Sequence, residues 1–221
     1  MSGIGLYKHY WRAAVFAGLL FVGDISLAIA GQDEDFAAGM ISYRRSDFAT
    51  AMPHLRKAAD AGHAEAQAVL AAILDATDAD EEAVTYYRKA AEAGNLDGVF
   101  GLATMYASGD GIKKDIQQAR SLLIRAAEGG HKEATWLLAQ AYIRGELGFS
   151  EDQRNGPEAL KWIALAADQD FIVAIDAMEK AYRSGGYGLA VDMAKADQLK
   201  QRIQKITGVK EKKIRKRGEP K

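Results

Sequence analysis

The chain has 221 residues, of which 48% are hydrophobic and 27% charged, ordinary figures for one folded domain with a sizeable core. Its 29 Lys and Arg against 30 Asp and Glu leave no basic surplus, which argues against nucleic acid as the main ligand. Cysteine is absent, so disulfides, thiolate nucleophiles and cysteine-ligated zinc are excluded together.

The first element in the chain is a candidate export signal. Lys8 and Arg12 give a positive start, residues 13–23 (AAVFAGLLFVG) are apolar throughout, and Ala28-Ile29-Ala30 has the small-x-small form of a signal peptidase site. Residues 1–30 are expected to be a signal peptide cleaved after Ala30, leaving a periplasmic or secreted chain that starts at Gly31. The competing readings are a retained inner-membrane anchor, because residues 13–30 form a run of 18, and an ordinary helix. Asp24 interrupts that run, and a charge in a spanning segment is expensive.

Next comes a repeat. Four stretches share one helix-ending grammar: Lys57-Ala58-Ala59-Asp60-Ala61-Gly62, Lys89-Ala90-Ala91-Glu92-Ala93-Gly94, Arg125-Ala126-Ala127-Glu128-Gly129-Gly130 and a worn copy, Leu165-Ala166-Ala167-Asp168-Gln169-Asp170. Successive first alanines stand 32, 36 and 40 residues apart, a period that belongs to stacked helical hairpins. Seven residues before each stands another alanine (Ala51, Ala83, Ala119, Ala159), and three after that a bulkier group (His54, Tyr86, Leu122, Trp162). These spacings share one helix face, with small residues where two helices approach closely. Only three prolines occur, which favours helix throughout.

A second register marks the preceding helix of each unit: Leu70-Ala71 with Leu74, Leu102-Ala103 with Tyr106, Leu138-Ala139 with Tyr142, and Met178-Glu179 with Tyr182. A glycine-rich turn from Gly109 to Asp115, repeated with one insertion from Gly185 to Asp192, ends on an acidic group where a helix should begin. The equivalent span after Gly145 carries four extra residues and should bulge. Five hairpins are expected, at 33–62, 63–94, 95–130, 131–170 and 171–207.

These positions resemble the Sel1-like repeat family, a relative of the tetratricopeptide repeats, over roughly residues 35 to 207. Residues 96–131 carry the pattern best, with Ala103 where the family prefers glycine and Leu122 where it prefers tryptophan. The resemblance implies an all-α fold, a right-handed α-solenoid of about five helix-turn-helix repeats filling residues 31–207. It implies a non-catalytic protein–protein interaction scaffold, and no enzyme. Cysteine-rich members are described as binding penicillin-like compounds, but their paired cysteines are absent here.

The search for chemistry supports the same view. His63 and His131 occupy equivalent turn positions with Asn95 and Phe171, so they follow the repeat and not a metal site, and His54 falls at the bulky layer position. No His-Glu-x-x-His, nucleophile elbow or phosphate loop occurs, so no catalytic, cofactor or metal residue is expected. In related helical repeats the first helix of each unit lines the concave face. That register passes through Asp97, Phe100 and Thr104 in one unit and Glu133, Trp136 and Gln140 in the next, with Arg144 one residue beyond. Phe100 and Trp136 are either anchors for a protein or peptide partner or packing between successive helices.

Residues 208–221 form a basic tail, with seven basic and two acidic groups from Lys210 onward. Its expected state is solvated and disordered, with weak attraction to anionic membrane or wall polymer as the alternative. The function expected is an exported adaptor in envelope-associated complex assembly or signalling. An envelope polymer-binding protein, for peptidoglycan or exopolysaccharide, and a secreted host-directed effector are the alternatives.

Overall fold

The computed structural model describes residues 31–208, so both the signal segment 1–30 and the basic residues from Lys210 onward lie outside the described residues. All regular structure among the described residues is helical. The chain divides after Lys114 into two compact units.

In the first unit, residues 31–44 form α1, followed by α2 (Phe48–Asp60), α3 (Ala64–Asp75), α4 (Asp80–Glu92) and α5 (Leu96–Ser108). From α2 onward each helix packs on the next, and α3 also packs on α5. The alanines set this spacing, since Ala51, Ala58, Ala83 and Ala90 are completely buried. Gly98 admits α5 even closer to α4: a Cβ there would stand 2.4 Å from the Ala90 methyl. Gly101 does the same against the Tyr87 ring, where a Cβ would meet Cε1 at 2.1 Å.

The second unit holds α6 (Ile116–Glu128), α7 (Lys132–Arg144), a short α8 (Glu151–Arg154), α9 (Pro157–Asp168), α10 (Ile172–Ser184), a single 3-10 turn (Gly186–Gly188) and α11 (Met193–Thr207). α6 packs on α7, α7 on α9, α9 on α10 and α10 on α11. Trp162 fills the layer at 1% exposure, beside the buried Ala159 and Ala166.

The repeated ending is a Schellman motif. The Gly62, Gly94 and Gly130 N–H groups donate to Ala59, Ala91 and Ala127, and the next residues, His63, Asn95 and His131, donate to Ala58, Ala90 and Ala126. The Ala-Ala pair thus offers the two carbonyls that close the helix as well as the two small side chains that bury it. The glycines take φ of +100°, +82° and +92°, and in the worn copy Asp170 takes +65° with the same two bonds.

Residue 63 and its equivalents then begin the next helix. His63 and His131 accept from the Ala66 and Ala134 amides through Nδ1, and Asn95 accepts from Gly98 at 2.8 Å. Phe171 holds the same place without a side-chain cap. The acidic groups at the other turns also cap: Asp115 accepts from Gln117 and Gln118, and Asp192 from Lys195.

One expectation needs correction. His54 is exposed, whereas Tyr86 and Trp162 at the same repeat position are buried. Tyr86 is covered by the preceding second helix, donating its hydroxyl to Asp60 at 2.7 Å beneath the Arg56 guanidinium. His54 belongs to the first described hairpin, where no earlier helix of that kind is present among the described residues. The expected insertion after Gly145 is present and is ordered by its own contacts. Ser150 and Gln153 form a capping box that starts α8, Phe149 stacks on Tyr142 at 3.9 Å, and Arg154 donates to the Tyr142 and Ile143 carbonyls at the end of α7.

Candidate functional site

In the first unit the first helices of successive hairpins leave an open cavity of about 350 Å³. Tyr43 comes from α1, Ala68, Val69, Ala72 and Asp75 from α3, Tyr87 from α4, and Asp97, Phe100, Gly101 and Thr104 from α5. The three residues expected here from the register, Asp97, Phe100 and Thr104, do meet around one cavity.

Their surroundings differ in character. Thr104 donates its hydroxyl to the Gly101 carbonyl at 2.7 Å, so its hydrogen is committed to the helix and its bulk shapes the wall. Phe100 is half-buried and Asp97 is exposed in the first turn of α5, where the helix dipole favours an acid. Asp75 closes α3, the unfavourable end for an anion. Its carboxyl is held above the usual aspartate range, first by burial and then by the charges of Asp80 and Asp110.

Tyr87 is the deepest polar group of the cavity, with 6% exposure. Burial raises its phenol well above the ordinary value, and Asp75, Asp97 and Tyr43 add to the effect in that order. It remains a neutral hydroxyl at all physiological pH. Gly101 makes room for the ring, as the 2.1 Å approach above shows.

In the second unit the expected residues lie along α7. Trp136 is 37% exposed and leans on Phe171, with ring centroids 6.0 Å apart. Glu133 stands 3.6 Å from His131 Nδ1, Gln140 is half-buried, and Arg144 faces Glu146 at 3.8 Å. A separate cavity of about 310 Å³ lies further along, lined by Ile143, Val173, Asp176, Lys180 and Tyr187 among others. Its charged pair is self-contained, since Lys180 meets Asp176 at 2.7 Å.

Sequence reading missed Tyr43, Asp75 and Tyr87. Tyr87 follows the bulky layer residue Tyr86 and stands about 100° further round α4. Asp75 was legible only as an acid at a helix end. No histidine, serine or cysteine is among the residues that line the cavity, and its one aliphatic hydroxyl, Thr104, donates to the Gly101 carbonyl. Among the described residues no cluster of His, Asp and Glu is grouped to hold a metal ion.

A family model described as Sel1 repeat matches residues 42–63, 76–95, 97–131 and 132–171, together more than half of the chain. A curated relative, chitin synthase regulatory factor 2 of Schizosaccharomyces pombe, is 28% identical over 106 residues, covering 48% of this chain and 21% of that protein. Among solved structures, a protective antigen of uropathogenic Escherichia coli with an SLR fold has a TM-score of 0.69 at 23% identity, covering 79% of this chain and 38% of its own. A Sel1 repeat protein from Oxalobacter formigenes has a TM-score of 0.68 at 26% identity, over 81% of this chain and 53% of its own. The chain therefore spans about a fifth of the curated relative, and well under two thirds of either structure. The fold class these structures share with it is the α-solenoid of helical hairpins.

Proposed function

This chain belongs to the Sel1 repeat family, and from that membership we propose that it is a binding scaffold, holding a segment of another protein against the first helices of its hairpins and performing no chemistry itself. Sel1 repeat proteins generally mediate protein–protein interactions. The observation that carries the reading is the cavity of the first unit, where Asp97, Phe100 and Thr104 combine an aromatic wall with a polar rim. Trp136 extends the set in the second unit as an exposed, partly supported ring, the kind of side chain that anchors partners.

The same proposal includes export through residues 1–30 and work in an envelope-associated complex. The relative named as a chitin synthase regulatory factor supports a regulatory role rather than a catalytic one, with the identity of the regulated protein left to experiment.

Photo-crosslinking residues placed at Phe100 and Trp136 in the living source cell test the reading. A defined protein should be captured at both positions, and not at Thr85, which is exposed on α4. Equal capture at Thr85, or capture at none of the three, would overturn it. Intact mass of the recovered chain tests export, which requires a start at Gly31.

A further inference from the structure

We propose that the cavity of the first unit is a receptor for one basic side chain, a lysine or arginine presented by the bound partner segment. The proposal rests on the scaffold reading and names the chemistry of a single partner residue. Tyr87 lines the cavity at 6% exposure, and its hydroxyl has no hydrogen-bond partner among the described residues. Its oxygen still reaches water, so a guest that displaces that water must replace the hydrogen bond.

Asp75 faces the same space, half-buried, with no cation paired to it among the described residues and with Asp80 and Asp110 as like-charged neighbours. Asp97 adds a second carboxylate at the rim. An anionic guest would be repelled by both, and an apolar one would leave Tyr87 and Asp75 unsatisfied. A cation relieves the two together, and the Tyr43 and Phe100 rings flank its path as faces suited to an ammonium or guanidinium. The surrounding field agrees, since residues 31–114 hold 14 acidic and 8 basic groups. At about 350 Å³ the cavity lies at the small end of ligand sites, suited to one long side chain and not to a folded element.

The test is selection of a random peptide display library on the full chain. The strongest peptides are then resynthesised with each arginine exchanged for citrulline and each lysine for norleucine, which preserve length and remove charge. The selected peptides should share one basic position whose neutralisation weakens binding about tenfold or more. The charged and neutral peptides should bind alike to the Asp75→Asn, Asp97→Asn double variant, whose helical circular dichroism confirms folding. Binders that depend on Phe100 but share no basic residue would overturn this inference and leave the scaffold reading standing. Discrimination that survives in the double variant would also overturn it. Failure to find any binder sensitive to Phe100→Ala would remove both. Binding seen only after deletion of residues 209–221 would give the cavity to the chain's own basic tail, and would overturn assignment to a partner.

Discussion

The His131 amide donates to the Ala126 carbonyl at 3.0 Å, while the same residue's Nδ1 accepts from Ala134 at 3.1 Å. One residue thus closes α6 and opens α7. The His131→Ala variant keeps the first bond and loses the second, which should lower stability by about 1 kcal/mol in denaturant unfolding. His131→Asn, which reproduces the side chain found at residue 95, should restore most of it. Equal losses for the two variants would mean that the ring acts by packing and not by capping.

Gly130 isolates the backbone part of the same joint. Its φ is +92°, and an added Cβ would meet no atom within 4 Å. Gly130→Ala should therefore cost about 1–2 kcal/mol through conformation alone. A larger loss would point to a clash that the geometry does not contain.

Asp75 gives a pH dependence. Its carboxyl is held above the unfolded value by burial and by neighbouring acids. The folded state then binds the proton more tightly than the unfolded state, so the group destabilises the protein as pH rises through and above the carboxylate range. Asp75→Asn should raise the melting temperature at neutral pH, and the gain should vanish at pH values below the ordinary aspartate pKa. A gain that persisted at low pH would have another origin.

Trp136 is 37% exposed and touches Phe171, so its truncation removes less buried area than loss of a core ring such as Trp162. Trp136→Ala should cost less than the roughly 3–5 kcal/mol of a buried aromatic. Thermal unfolding beside the Trp162→Ala variant checks this. Comparable losses would place Trp136 in the core and remove it from the binding face.

The architecture was legible because each repeat writes the same physical demand twice. Ala58 and its equivalents must be small to let helices meet, and their carbonyls must be followed by a residue able to adopt positive φ. The cavity that carries the proposed binding face was legible only in part. Asp97, Phe100 and Thr104 stand on one helix at spacings a sequence displays, and they do line a cavity together. Tyr43, Asp75 and Tyr87 reach it from three other helices, and no periodicity within one segment announces such convergence. His54 misled because a repeat position is buried by its neighbour, and among the described residues the first hairpin has none on that side. Arg154, whose guanidinium pins α8 to the end of α7, lies in the insertion, where the repeat says nothing.

The joints between hairpins are uniform: α2 to α3, α4 to α5, α6 to α7 and α9 to α10 are each linked by three residues. The turns inside hairpins vary from three residues between α1 and α2 and four between α3 and α4 to seven between α5 and α6 and twelve between α7 and α9. Among the described helices the variation in linker length therefore falls at one class of turn, while the other class acts as a fixed ruler. A short epitope grafted between Gly130 and His131 would break two helix ends at once, because the bonds that close α6 and open α7 meet there.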